Sequence, residues 1–364
     1  SLEKKNLIIE ENRNEAGGRK ALTYIINPHP IFSFGAYITP DLYGIGICNV
    51  GGDIIEKEEF PFTKETKPLD VAERFAAFIK SAKHKSTINT DDILGIGLAV
   101  MGPILKSKGI MYHPLHLRYP EWDVVSIRDL LEMKTGFRTW IDSLTETALL
   151  SELIYGEDRN RTSSAYVWMD RGIGCGIYSH GVLGMGSVDT SSSIGHIIID
   201  FQGEQCLCGK RGCLETYASI DSIVSGILGI YPDTEQKIKK YRKKENVDAN
   251  IWESTPELHA VREVFNESIS IPKIREYYEK LVDAIAVALF NFIHLTRPER
   301  IFYGGRTIEQ LDFLFHEAMK KTKEQYLPET FEDIQFIKSK FTGDLLFRGA
   351  GFLPLNDYLQ IVQF

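Results

Sequence analysis

Apolar runs of strand length alternate with helically spaced apolar positions from residue 7 to residue 358. Residues 7–9 and 22–26 are apolar and flank a polar stretch holding Gly17, Gly18 and Arg19, which predicts a β-hairpin. Asn27-Pro28-His29-Pro30 ends it, because proline cannot continue a ladder. Residues 32–38 and 43–50, with a third strand starting at Ile54, read as a β-meander. Val71, Phe75, Ala76 and Ile79 recur at helical spacing and predict a helix over 69–82. A buried strand over 93–100, a helix over 124–133, a strand over 137–141 and a helix over 145–155 follow. Strands over 164–169 and 175–180 flank the turn Gly172-Ile173-Gly174-Cys175-Gly176. Helices are then predicted over 216–228, 277–295, 308–322 and 345–358, with strands over 300–303 and 334–338 and the turn Gly304-Gly305 after the first of these. Residues 231–256 are polar, and their basic run 237–244 reads as a solvated helix face rather than a contact for DNA or a partner.

Composition narrows the class. At 364 residues, 43% hydrophobic and 25% charged, the chain can bury a large core and divide into two or more domains. No apolar stretch is long enough to span a bilayer and no signal peptide opens the sequence, so no membrane partner is expected. Five cysteines, three of them in one segment, fit a reducing cytoplasm and a metal site. A net charge of -8 argues against nucleic-acid binding through overall charge, but leaves room for one small DNA-binding module on an acidic body.

The most informative segment runs from Gly195 to Glu215. His196, Cys206, Cys208 and Cys213 make a full tetrahedral ligand set for a structural Zn²⁺, with no open position for activating water. Interleaved glycines suit a tight loop wrapped on an ion. The rival readings are three ordinary reduced cysteines near a surface histidine, or a disulfide, for which Cys206 and Cys208 stand awkwardly close in sequence.

This segment, with its closing Cys213-Leu214-Glu215, resembles the zinc signature of the ROK family of repressors, open reading frames and sugar kinases. The resemblance extends along nearly the whole chain. It implies an α/β, two-lobed actin-like (ribonuclease-H-like) fold, preceded here by the hairpin, which is similar to the wing of the winged helix-turn-helix of ROK regulators. The implied domains are a wing remnant over 1–30, a first lobe over 31–143 plus 343–364, and a second lobe over 144–342 carrying the zinc loop. Only Ser1 to Lys5 stand before the hairpin, too few for the reading helices. Either residues preceding Ser1 supply them, or the chain has lost its reading head.

Phosphotransfer in such a fold needs a carboxylate base, phosphate-cradling glycine loops and carboxylates for the sugar. The resemblance puts an Asn-Asp pair before the helix ending at Gly156. Counting back without a gap places Ser143 and Leu144 there, and leucine cannot accept a proton. Asp142 and Glu146 lie two residues to either side; Asp142 reads best as a strand-end or cap residue. At the first phosphate loop Tyr37 stands for the family's acid and Thr39-Pro40 for its glycine pair; proline offers no N–H and Asp41 repels phosphate. Gly172, Gly174, Gly176, Gly304 and Gly305 keep the outline of vestigial phosphate loops. Ser193 holds the place of a sugar-binding glutamate, whereas Glu215 is retained. The resemblance implies that Glu215 and His196, with Ser193 and Ser143 as weaker partners, face a sugar.

The expectation is therefore a sugar-responsive ROK regulator with no catalytic residue. A sugar effector would bind between two lobes, DNA would bind if the reading helices exist, and the chain would be a homodimer or larger. The alternatives are an ATP-dependent hexose or amino-sugar kinase with a relocated base at Asp142 or Glu146, and a non-catalytic interaction protein.

Overall fold

The computed structural model describes residues 8–12, 22–26, 31–85, 88–156, 162–184, 193–244, 255–326, 333–340, 343–360 and 362. They fall into two units, Ser1–Arg159 with Asp344–Gln363, and Asn160–Gly343.

The first unit opens with β1 (Ile8–Asn12) and β2 (Leu22–Ile26), paired antiparallel from Ile8↔Ile26 to Asn12↔Leu22 as the flanking apolar runs predict. Gly17, Gly18 and Arg19 of the predicted turn lie outside the described residues. Next come β3 (Phe32–Ile38), β4 (Leu42–Asn49), β5 (Ile54–Pro61), α1 (Pro68–Lys85), β6 (Ile93–Val100), β7 (Ile104–Leu105), β8 (Ile110–Tyr112), β9 (Val124–Val125), α2 (Ile127–Thr135), β10 (Thr139–Ser143) and α3 (Leu144–Tyr155). The main sheet runs β10-β6-β3-β4-β5, with β6 parallel to both β3 and β10. Every residue of β3 and β4 is buried, because α1 covers one face and the chain's last helix the other. That double cover is why these strands read as unbroken apolar runs.

The second unit holds β11 (Ser163–Met169), β12 (Ile173–Ser179), β13 (Val182–Leu183), α4 (Glu215–Ala218), α5 (Ile220–Ile230), α6 (Thr234–Lys244), α7 (Pro256–Ser268), α8 (Pro272–Thr296), β14 (Arg300–Gly304), α9 (Arg306–Lys321) and β15 (Gln335–Lys338). Its sheet order is β13-β12-β11-β14-β15, with β14 parallel to β11 and β15. Its core gathers Ala165, Ile223, Val261, Leu289 and Ile301. The last helix, α10 (Asp344–Leu359), returns to the first unit.

Several expectations need correction. The helix expected over 216–228 is two helices, because Ser219 caps α5 by accepting a hydrogen bond from the Ser222 N–H at 3.3 Å. The helix expected over 124–133 starts only at Ile127, since Val124 and Val125 pair with β8. Helix α7 and the small β7-β8-β9 sheet were missed. The basic run is a helix face as expected, with Lys239, Lys240, Arg242 and Lys243 exposed; two of its residues reach α7, Lys237 bridging Glu263 and Glu267 and Arg242 bridging Glu257. The unit boundary also differs from the expected one after Ser143. Helix α3 belongs to the first unit, because it packs on α10.

Helix α10 seats so closely that only glycine fits beneath it. A Cβ on Gly97 of β6 would lie 1.7 Å from the Ala350 carbonyl oxygen, and one on Gly349 would lie 1.8 Å from that of Thr147. Among the described residues no helix is long and apolar enough to cross a membrane. Gly97→Ala is expected to lift α10 from the sheet and cost about 1–3 kcal/mol of stability, as overpacking does elsewhere. A urea midpoint unchanged from the unaltered chain would contradict this packing.

Candidate functional site

The described part of the segment between β13 and α4, from Ser193 to Leu214, is rich in turns. It starts with a 3₁₀ turn, Ile194–His196, whose preceding Ser193 donates its hydroxyl to the Ile173 carbonyl at 3.2 Å. Backbone bonds then fold the loop on itself: Ile199 N–H donates to Gly212 at 2.8 Å, Gly212 N–H to Glu204 at 2.9 Å and Cys206 N–H to Lys210 at 2.7 Å. Gly212 sits at φ +67, and a Cβ there would fall 1.5 Å from the Asp200 carbonyl oxygen, so the fold of the loop admits only glycine. Asp200 is tied from the other side by the Tyr217 hydroxyl at 3.0 Å.

This folding brings His196, Cys206, Cys208 and Cys213 together, with ligand atoms all within 4.8 Å of one another. Cys206 Sγ lies 3.6 Å from His196 Nδ1, and Cys208 Sγ lies 3.7 Å from Cys213 Sγ. A tetrahedral ion with bonds of about 2.3 Å to sulfur and 2.0–2.1 Å to nitrogen sets edges of about 3.8 Å and 3.6 Å, so both measured edges fit. All five cysteines are free thiols, which excludes the disulfide reading for this structure. Burial first, then the neighbouring thiols, push Cys213 up to about 12, while hydrogen bonds from Lys210 and the other two thiols outweigh burial and hold Cys208 below the ordinary thiol value. Such a group could hold a soft divalent metal such as zinc, by shedding thiol protons to it.

The metal loop is stitched to the glycine turn at one residue. Ile173 donates its N–H to Glu215 Oε2 at 3.1 Å, and its carbonyl accepts from Ser193. Ser193 and Glu215 thus both bond Ile173, and each already holds the turn Gly172-Ile173-Gly174. Glu215 is buried in the first turn of α4; Ser193 is exposed. Gly176 pairs within β12 opposite Tyr166. Gly304 ends β14 and Gly305 precedes α9. The sequence reading missed Asp170 and Arg306, which join this turn to α9 through a buried ion pair. The signal available was an acidic residue two positions before Gly172.

Ser143 lies in the first unit. It caps α3, accepting from the Glu146 N–H at 3.1 Å and donating to Glu146 Oε2 at 3.0 Å. Leu144, 2% exposed, opens the helix. Asp142 is more than a strand end: Lys106, from the loop after β7, reaches both Asp142 at 2.7 Å and Glu146 at 2.5 Å. Burial first, then Glu146, raise the Asp142 carboxyl well above its ordinary value. Glu146 is lowered, because the hydrogen bond from Asp142 and the charge of Lys106 outweigh burial. Asp142 is therefore the member of the pair that takes up a proton first, and Glu146 the one that keeps its charge toward Lys106.

At the β3–β4 turn the Thr39 N–H donates to the Leu42 carbonyl at 2.7 Å, and the Leu42 N–H donates to Thr39 Oγ1 at 3.1 Å. Pro40 has no N–H. Three of the four turn positions thus have no backbone donor to give a phosphate.

Two outcomes follow. Asp142 has a folded pKa raised above the ordinary 3.8. Its contribution to stability is complete below that value and is lost as pH rises through the raised one. The unaltered chain should therefore lead Asp142→Asn most below pH 3.8 and lose that lead progressively as pH rises, read from urea midpoints; a lead that grows with pH contradicts the assignment. Glu146→Gln should remove the like charge that helps raise Asp142 and leave that carboxylate to pair with Lys106, so the pH dependence of the urea midpoint should flatten. For the loop, purified protein is expected to carry one metal equivalent by elemental analysis. Cys206→Ser or a chelator should remove it and lower the melting midpoint by several degrees. Equal midpoints with and without metal would show that the ligand set is idle.

Comparison with known proteins places this geometry. The model of the ROK family matches residues 43–355. A glucokinase of Thermotoga maritima is 24% identical over 85% of this chain and 92% of its own length. A xylose repressor of Caldicellulosiruptor bescii is 25% identical over 100% of this chain and 88% of its own. The solved structure of a ROK family transcriptional regulator, a homolog of the E. coli MLC protein, superposes with a TM-score of 0.69 at 22% identity, covering 99% of this chain and 89% of that one. Kinases and repressors thus match at similar identity, and the fold they share is the two-lobed actin-like sugar kinase fold. The chain belongs to the ROK family.

Proposed function

We propose that this chain is a sugar-responsive transcriptional regulator that has lost phosphotransfer. One position carries the reading: Leu144, buried at the start of α3, stands where a gap-free count from the family pattern puts the aspartate that takes the proton from the attacking hydroxyl. Its two acidic neighbours do not replace it readily. Asp142 and Glu146 are both engaged by Lys106, and a general base must sit within hydrogen-bond reach of the proton it takes. The β3–β4 turn, with its donors spent and Asp41 in its centre, supports the same reading.

In this proposal the four-ligand loop binds zinc and holds Glu215 and His196 for a sugar hydroxyl. The β1–β2 hairpin serves as the wing of a DNA-reading arm, which makes DNA the second partner. Sugar shifts the arm only if it binds two conformations with different affinity. Glu215 and His196 both lie on segments that move with the loop, so zinc removal is expected to weaken sugar binding.

A thermal-shift panel of hexoses, pentoses and amino sugars, run beside a coupled ADP-release assay on the same sugars, tests this. The expected result is stabilisation by one sugar class, weakened at least tenfold after metal removal, with no ADP release above background. Robust turnover abolished by Asp142→Ala would replace the proposal with a kinase that relocated its base. No stabilisation by any sugar would favour a pure interaction protein.

A further inference from the structure

Asp170 and Arg306 stand 136 residues apart in sequence and are 2% and 6% exposed. Asp170 directly follows β11, and Arg306 is the first residue of α9. Arg306 Nε donates to Asp170 Oδ2 at 2.9 Å and Nη2 donates to Oδ1 at 2.5 Å, a two-pronged fork. The same carboxylate accepts the backbone N–H of Arg171 at 2.7 Å and that of Arg306 at 3.3 Å. Four donors thus converge on one carboxylate. One belongs to the residue before the glycine turn, one to the first residue of a 16-residue helix, and two to a buried guanidinium.

A glycine turn beside a helix N-terminus is a common cradle for phosphate, because unspent backbone N–H groups and the helix dipole both favour an anion. Here an anion is already in place as part of the chain. Gly305, the residue before α9, has no side chain to cap it, so the carboxylate that meets the helix end comes from another strand. The buried Thr307 hydroxyl in the same first turn has no hydrogen-bond partner. Packing alone gives little reason for such a pair, since a buried ion pair is seldom more stable than apolar side chains of equal volume. An incoming phosphate would meet the Asp170 carboxylate at contact distance and be repelled.

We infer that Asp170 is the built-in occupant of an oxyanion site, and that Arg306 and the α9 N-terminus bind a phosphate-type anion once that carboxylate is removed. The inference deepens the proposal that phosphotransfer is lost and rests on it only for its biological sense. A single acidic side chain keeps the anion cradle of the second unit filled from within.

The test uses the full metal-loaded chain with inorganic pyrophosphate as probe and sodium chloride at matched ionic strength as control. Asp170→Ala should lower the melting midpoint. Pyrophosphate at about ten times its Kd should then raise it by on the order of 3 °C, while the unaltered chain gains nothing beyond the chloride control. Asp170→Ala combined with Arg306→Met should lose the gain. Should Asp170→Ala fail to fold unaided, refolding yield in pyrophosphate against chloride reads the same quantity. No selective gain in the single variant, or an equal gain in the unaltered chain, overturns the inference. Neither sugar nor turnover enters this measurement, so its failure is distinct from a positive kinase assay.

Discussion

The loop from His196 to Cys213 is held only in part by the hydrophobic core. Ile197 and Ile199 pack against that core, whereas Ile198, Phe201 and Leu207 are 37%, 85% and 48% exposed. Its backbone bonds close small rings, and small rings do not choose among competing loop conformations by themselves. A metal held by the four ligand atoms would choose, because an ion bound only by the folded loop adds its binding energy to that one conformation. The candidate sugar contacts inherit their positions from this constraint. His196 is itself one of the four, and Glu215 begins two residues after Cys213.

Ile173 carries that constraint into the sheet. Its N–H and carbonyl are spent on Glu215 and Ser193, which stand on opposite sides of the metal loop in sequence. The glycine turn between β11 and β12 is therefore fixed by the loop rather than by the strands alone. A change at the ligand set would be felt first at this turn, and next at Asp170, which heads it.

What could be read from the sequence was what is local. Four ligands within eighteen residues, Gly212 among them, announce a metal loop without any knowledge of the fold. Buried strands such as β3 and β4 show as apolar runs because helices cover both their faces. The features that were missed depend on distance. Lys106 meets Glu146 across 40 residues and Arg306 meets Asp170 across 136, and no spacing rule links them. Helix α7 was hidden because it follows a polar stretch whose charges serve it: Lys237 and Arg242 of α6 face its glutamates, so the pair reads as hydrophilic though α7 buries Leu258, Val261 and Phe265. Helix α3 was assigned to the wrong unit because its partner, α10, stands some 190 residues further on.

A body built to bind a charged ligand leaves some polar groups for the ligand to satisfy, since every buried donor or acceptor needs a partner. Three places in this chain satisfy themselves instead. Thr39 closes the β3–β4 turn with its own hydroxyl and backbone, Lys106 answers two carboxylates at the start of α3, and Asp170 fills the end of α9. Each closure is made by a different chemistry and in a different element, so no single substitution would undo them all. The loss of any one could be drift around an active site. Three independent closures support the proposal that phosphotransfer is lost, because each spends on the chain itself a polar group that a charged ligand would otherwise need.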